Sequence, residues 1–343
     1  MKKHWRWMGS LILVGLLVWR IDWRQVATAF AQLEVTYWLL ALVLFLLAQG
    51  VSAWRWQILA GTLGLGGRWR DYLGYYFIGM FFNLILPTSV GGDVVRAWYL
   101  GRRDGPIPPT GRRTAAFLSV LSDRVNGFAV LIVVACVAAL CCPTVLPRWI
   151  TWTVAGMGAA CVLGLAMLPA LPWLRKVLPA HPRLTHLLDG AALCLRNGRG
   201  MLIVTVLSLV VQIVGVVLAW LVGEGLGLDV PPLYYGVLVP LVALLTLLPI
   251  SLNGMGLREA GTVLLLAPLG VNSASAVTLS LLIFAVYTVA SLVGGLFYLF
   301  DRSPRFATEE SVAGVRNQES GVRNQESGIR EQESSVGEEI TAA

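Results

Sequence analysis

The sequence predicts an all-α fold, a polytopic membrane helical bundle of about eight spans with two re-entrant broken-helix motifs in an inverted repeat. Three observations carry that reading. Of the 343 residues, 57% are hydrophobic and only 13% are charged, about half the charged share of an average soluble domain. Apolar runs long enough to cross a bilayer recur along the first 300 residues. Two interrupted motifs, one starting at Leu86 and one at Leu248, repeat the same residue pattern.

A spanning helix needs about 20 apolar residues, and runs of that kind lie at 37–54, 114–137, 149–168, 201–221, 231–250 and 274–300. Shorter apolar runs occupy 7–19 and 72–86. The first follows Lys2, Lys3 and Arg6 and precedes Ala27-Thr28-Ala29, which imitates a signal-peptidase site. Arg20, Asp22 and Arg24 separate the two, so the run is expected to be a retained first span. Segments 89–100 and 256–268 are too short or too polar to span, and each follows a Leu-Pro step with glycines. They are expected to return into the membrane as half-helices.

Charge supports this count. The net charge of +7 divides into a basic body and a tail, 301–343, that is rich in glutamate. With the half-helices counted as passes, fifteen of the body's bases fall on cytoplasmic segments, Arg55, Arg68, Arg70, Arg112 and Arg113 among them. Arg20, Arg24 and Arg148 fall outside, while Arg96, Arg124 and Arg258 fall at membrane depth. That bias obeys the positive-inside rule and puts both termini in the cytoplasm, as expected of a multi-pass protein of the cell inner (plasma) membrane. Trp7, Trp19, Trp38, Trp54, Trp149 and Trp220 mark the ends of apolar runs, where indoles settle among headgroups. The bases form no basic arm or stripe, which argues against nucleic acid as a partner.

Two domains are expected, a transmembrane domain over 1–300 and a disordered cytoplasmic tail over 301–343. The tail repeats GVRNQES, GVRNQES and GIREQES. One aliphatic residue and one glycine per repeat bury too little for a coiled coil.

The motifs Leu86–Arg96 (LPTSVGGDVVR) and Leu248–Arg258 (LPISLNGMGLR) align without a gap through Leu, Pro, Ser, an aliphatic, Gly, another aliphatic and Arg. Proline ends a helix and glycine permits a sharp reversal. Irregular backbone survives in a bilayer only where protein buries it or water reaches it. By the pass count the first break is approached from the cytoplasm and the second from outside, the inverted arrangement that surrounds substrate sites in transporters.

Ionisable groups gather at the same places. Asp93, Arg96, Asp123, Arg124, Arg258 and Glu259 all fall in or beside apolar passes, where each unpaired charge costs about 2.5–3.5 kcal/mol on insertion scales. In one reading Arg96 and Arg258, with free amides around Gly91, Gly92, Gly254 and Gly256, hold an anionic lipid headgroup. Asp93 and Glu259 then balance charge or carry a proton. In the other, Asp93 caps a helix, Arg96 pairs with Asp123, and Glu259 neutralises Arg258 or Arg124. Ser89 and Ser251 satisfy backbone groups or touch ligand, and Asn83 serves the carbonyls freed before Pro87.

Neither a catalytic centre, a metal site nor a cofactor is expected. His4, His181 and His186 all lie in cytoplasmic segments, so no membrane-embedded Ser-His pair or histidine cluster assembles. The cysteines at 136, 141, 142, 161 and 194 have no two-residue spacing and read as small hydrophobes. The stretch 171–196 carries an amphipathic pattern suited to anionic lipid, broken by prolines.

Residues 83–96 (NLILPTSVGGDVVR), Ser122-Asp123-Arg124 and residues 248–261 (LPISLNGMGLREAG), in that order, resemble the lysylphosphatidylglycerol synthase transmembrane-region family of flippase-like integral membrane proteins. The resemblance covers about residues 8–300. It implies a lipid transporter moving an anionic phospholipid or a phosphate-linked glycolipid between leaflets. In bifunctional relatives the membrane half moves aminoacylated phosphatidylglycerol and a cytoplasmic domain makes it; only 43 residues follow residue 300 here, so aminoacyl transfer is not expected. Stand-alone relatives are associated with glycolipid, polyprenyl-linked and hopanoid pathways. The expected partners are membrane lipids, held through an anionic headgroup, and a cytoplasmic lipid- or glycan-synthesis enzyme. Two other functions compete: an enzyme modifying a lipid phosphate, and a non-catalytic scaffold for such a synthase.

Overall fold

The computed structural model describes residues 23–86, 91–102, 109–142, 146–167, 197–248, 251 and 254–300. The expected span 7–19, the cytoplasmic stretch 171–196 and the repeat tail lie outside these. The chain divides into two units, Met1–Leu299 and Phe300–Ala343, and the helical bundle is the first of them.

Ten α-helices make up the described structure: α1 Trp23–Ala31, α2 Val35–Thr62, α3 Trp69–Ile85, α4 Gly91–Arg102, α5 Pro109–Cys141, α6 Arg148–Met167, α7 Gly198–Gly225, α8 Pro232–Leu245, α9 Leu257–Leu266 and α10 Ser273–Phe300. A 3-10 turn at Ala267–Leu269 joins the last two. Among the described residues there is no strand. α2, α5, α7 and α10 are long and apolar enough to cross a membrane. Each is apolar around most of its circumference, so side chains such as Leu39, Val43, Leu47, Leu202 and Leu292 stay exposed outside the bundle, as the surface of a helix facing lipid does.

α5 is the hub and packs against α2, α4, α6, α7 and α8. α2 and α7 run antiparallel: the Glu34 N–H, just ahead of α2, donates to Gly225 O at the end of α7 at 2.9 Å. At the other end of α2, Trp56 Nε1 donates to Ser119 Oγ on α5 at 3.0 Å. The core splits into a large cluster around Ala41, Ala135, Leu218, Tyr235 and Leu279 and a smaller one around Trp56, Tyr72, Leu100 and Val120.

Two helical hairpins hang on this frame. At 1.5 Å per residue α3 is about 25 Å long and α4 about 18 Å, both short of a full crossing. They pair antiparallel, with Tyr75 stacked on Tyr99 and Gly79 against Gly92. Gly101, near the end of α4, lies against Arg113 near the start of α5, so this hairpin opens toward the end of the bundle where α5 begins. α8 and α9 pair likewise, with the Tyr234 hydroxyl donating to Leu265 O at 2.5 Å. The Tyr235 hydroxyl abuts Gly223, so the second hairpin opens toward the end where α7 finishes. Both breaks are therefore present, one between Ile85 and Gly91 and one between Leu245 and Leu257.

The structure corrects three sequence expectations. The run 231–250 holds a helix of only 14 residues, Pro232–Leu245, because the chain turns at Thr246. Residues 23–31, expected in an external loop, form α1, whose Val26 packs on Ala274 and Val277 of α10. Arg55 and Arg112, counted among the bases of cytoplasmic segments, are both buried within the bundle.

Candidate functional site

The first cluster forms where α4 returns beside α5. Asp93 and Arg96 are three residues apart on α4 and share a face; Asp123 and Arg124 come from the middle of α5, and Arg55 from α2. Arg55 Nε donates to Asp123 Oδ1 at 2.8 Å. Arg96 Nη2 donates to Asp123 Oδ2 at 3.2 Å, and its Nε lies 3.1 Å from Asp93 Oδ1. Arg124 Nε and Nη2 donate to Asp93 Oδ2 and Oδ1 at 2.8 and 3.1 Å. The result is an alternating chain, Arg55–Asp123–Arg96–Asp93–Arg124, of three cations and two anions. Its first four members are buried, whereas the Arg124 side chain is 39% exposed. Arg96 also lies over the rings of Trp56 and Tyr76, at 5.0 and 4.9 Å to their centroids, which stabilise a desolvated guanidinium.

The second cluster is smaller and self-contained. Gly254 and Gly256 carry φ of 76° and 83°, a conformation that glycine adopts without steric cost, and α9 starts directly after them. Glu259 Oε2 accepts the Gly256 N–H at 2.7 Å while its Oε1 accepts from Arg258. Arg258 Nε also donates to Ser280 Oγ at 3.1 Å, and its guanidinium covers Phe284. Arg258 and Ser280 border a cavity of about 170 Å³ lined also by Val242, Thr246, Thr262, Ile283 and Tyr287 among others. Thr246 and Thr262 commit their hydroxyl protons to Ala243 O and Arg258 O at 2.7 and 2.8 Å, so the donors available to the cavity are few.

Of the residues singled out in the sequence, Asn83, Gly92, Asp93, Arg96, Asp123 and Arg124 meet at the first hairpin, and Gly254, Gly256, Arg258 and Glu259 at the second. Gly91 begins α4. Ser251 is buried and its Oγ has no hydrogen-bond partner among the described residues. Ser89 lies outside the described residues. The two arginines expected to share one headgroup occupy different hairpins, with separate partners.

Two of the amides expected to face a ligand are already bonded: the Gly92 N–H donates to Asn83 Oδ1 at 2.8 Å and the Gly256 N–H to Glu259. Asn83 thus serves an amide of the returning helix, not only the carbonyls before the break. Gly92 sits inside the first turn of α4; its small size serves a close approach, where a Cβ would stand 1.8 Å from Gly79 O.

Arg55 is the member that sequence reasoning missed. Its flank, Trp54-Arg55-Trp56, looks like a membrane-interface anchor, and no local signal separates it from Arg68 or Arg70. Charge arithmetic gives no signal either, because Asp93 and Asp123 already balance Arg96 and Arg124, and Arg55 makes the cluster net positive.

The profile of the lysylphosphatidylglycerol synthase TM region matches residues 7–295. The chain belongs to this family. No curated protein and no solved structure matches it significantly. As a member of the lysylphosphatidylglycerol synthase TM-region family it is an integral membrane protein, and the family match takes in both charged hairpins. Among the described residues no group of histidine, cysteine and carboxylate side chains is placed to hold a metal ion.

Proposed function

We propose that the protein is a flippase-type lipid transporter that carries an anionic phospholipid or a phosphate-linked glycolipid between the leaflets of the cell inner membrane. Both termini are cytoplasmic in this reading. The hairpins α3–α4 and α8–α9, opening toward opposite ends of the bundle, are the halves of an inverted repeat, and the chain makes about eight spans besides the returning half-helices α4 and α9.

One observation carries the reading. Three arginines and two aspartates are linked in the interior of an apolar bundle, leaving one positive charge without a protein counter-ion among the described residues. An uncompensated charge in low dielectric is costly, and a phosphate oxygen at the exposed flank of Arg124 is the partner that removes the cost. Arg96 holds Asp93 and Asp123 in place for this and Arg124 meets the headgroup. Arg258 and Glu259 form the neutral counterpart that a headgroup passes after release from the first cluster.

The test is leaflet exchange of fluorescent phosphatidylglycerol in reconstituted vesicles, comparing the parent with Arg96→Ala, Arg124→Gln and Arg258→Ala. Faster exchange in the parent than in empty vesicles, with Arg96→Ala and Arg124→Gln returning to the empty-vesicle rate, supports transport. Equal rates in all preparations discard it for that lipid.

A further inference from the structure

A second polar chain leaves the first cluster in the opposite direction and ends on the outside of the bundle. Arg55 Nη1 donates to Ser208 Oγ on α7 at 3.0 Å. Ser208 Oγ donates to Asn126 Oδ1 on α5 at 2.5 Å, and Asn126 Nδ2 donates to Thr205 Oγ1 on α7 at 3.1 Å. Every bond points the same way, donor inside and acceptor outside, so the positive charge of Arg55 polarises the series outward.

The series stops at a donor. The Thr205 side chain is exposed on the bundle's outer face, and its hydroxyl proton has no acceptor among the described residues. Thr28, Thr153, Thr246, Thr262 and Thr278 each return their proton to a carbonyl three or four residues earlier; Thr288 on α10 also has no partner among the described residues, but its Oγ1 is buried inside the bundle rather than exposed on it. Asn126 likewise has a second amide hydrogen beyond the one given to Thr205. In hydrocarbon such donors demand a partner, and a polarised series ending in a donor suits an anionic acceptor.

An apolar groove continues the same seam. α5 and α7 run parallel, as Asn126 with Thr205 and Val133 with Leu209 show, and beyond the polar end they enclose an open trough of about 440 Å³. Val133, Val137, Leu209, Ile213, Val216 and Leu233 line it. Along α5 the trough runs from Val133 to Cys141, about 12 Å at 1.5 Å per residue, and it starts about 10 Å beyond Asn126. Hydrogen-bond donors at one end of a hydrocarbon-lined trough match one kind of molecule, a lipid with a phosphate-bearing headgroup.

We propose that the outer seam between α5 and α7 is a lipid-binding site, with a lipid phosphate accepting from Thr205 and Asn126 and one hydrocarbon chain lying along Val133, Leu209 and Ile213. The site deepens the transport reading and rests on it only in supplying the lipid that the charged cluster receives. Polar residues here also join helices, and the experiment separates that role from lipid binding.

The full chain is placed in mixed phosphatidylglycerol and phosphatidylcholine vesicles carrying a trace of either lipid with a photoactivatable acyl chain, and the labelled peptides are mapped. The expected result is labelling of Val133, Leu209 and Ile213 well above that of Leu39 and Val43 on the outer face of α2, with phosphatidylglycerol preferred. Thr205→Val, which also removes the acceptor of Asn126 Nδ2, is expected to lower that preference about tenfold, the worth of one charge-assisted hydrogen bond, with only a small fall in melting temperature because that bond is exposed, and Thr205→Ser to restore both. Ile213→Trp is expected to abolish groove labelling. Labelling equal to that of α2, or a preference unchanged in Thr205→Val, overturns the site. Leaflet exchange measured on the same vesicles keeps the two proposals apart: rapid exchange with even labelling defeats the seam alone, and groove labelling without exchange defeats transport alone.

Discussion

Gly92 lies so close to Gly79 that a Cβ on Gly92 would stand 1.8 Å from the Gly79 carbonyl oxygen. The reciprocal Cβ on Gly79 would meet Gly92 O at 2.9 Å. This contact sets the spacing of α3 and α4 and with it the reach of Arg96 to Asp123. Gly92→Ala must push the two backbones apart, at an overpacking cost of about 1–3 kcal/mol, and Gly79→Ala must do so less. The melting temperature in detergent is expected to be lowest for Gly92→Ala, higher for Gly79→Ala and highest for the parent. Equal melting of all three would mean that the hairpin tolerates a wider spacing than the structure shows.

Asp123 is the shared anion of two buried guanidiniums, Arg55 and Arg96. Asp123→Asn keeps the shape but strips the charge from between two cations. Removing one partner of a buried pair typically costs about 3–5 kcal/mol, and this site leaves two partners behind. Arg124→Gln breaks a pair whose arginine is over a third exposed, so water screens the loss and the expected cost is about 1 kcal/mol or less. Chemical denaturation of the two variants checks the contrast, and a larger loss for Arg124→Gln would reverse the assigned hierarchy.

Much of this was legible in the sequence. The Leu-Pro steps and glycines located both helix breaks, because backbone that cannot continue a helix is conspicuous inside an apolar run. The pairings Arg96–Asp123 and Arg258–Glu259 follow from the sequence as one of two readings, since a charge in hydrocarbon must have a partner nearby. The hydrogen-bond series from Arg55 through Ser208 and Asn126 to Thr205 was not legible. It joins positions 55, 126 and 205 across three helices, and serine, asparagine and threonine are ordinary residues in apolar spans. Composition also could not distinguish glycines that turn the chain, Gly254 and Gly256, from Gly92, which only makes room.

Arg96 is flanked by two rings, and the bond from Trp56 Nε1 to Ser119 Oγ holds one of them. Tyr76→Leu removes one face of the cation's environment while leaving its ion pairs, an expected loss of about 1–2 kcal/mol for a desolvated site. Trp56→Phe keeps a ring but forfeits the bond to Ser119, an expected loss of about 1 kcal/mol plus the smaller ring's poorer fit. Stability curves of the single and double variants measure whether the two rings act together. Strict additivity would show that each ring stabilises the guanidinium independently.

The two hairpins differ in charge. Glu259 performs two tasks with two oxygens, capping the Gly256 amide and neutralising Arg258. Glu259→Gln retains one acceptor oxygen and no charge, so the second hairpin changes from neutral to positive while its glycine turn keeps a partner. The freed guanidinium is expected to take an anion: phosphatidylglycerol binding, followed by fluorescence quenching in detergent, should strengthen in Glu259→Gln and weaken again as salt rises, because a partly exposed charge is screened. The double variant Arg258→Gln with Glu259→Gln should return to the parent. Should Arg258→Ala alone abolish binding in the parent while Glu259→Gln leaves it unchanged, Arg258 would be acting on the headgroup despite its neighbour, and both hairpins would have to be counted as anion sites.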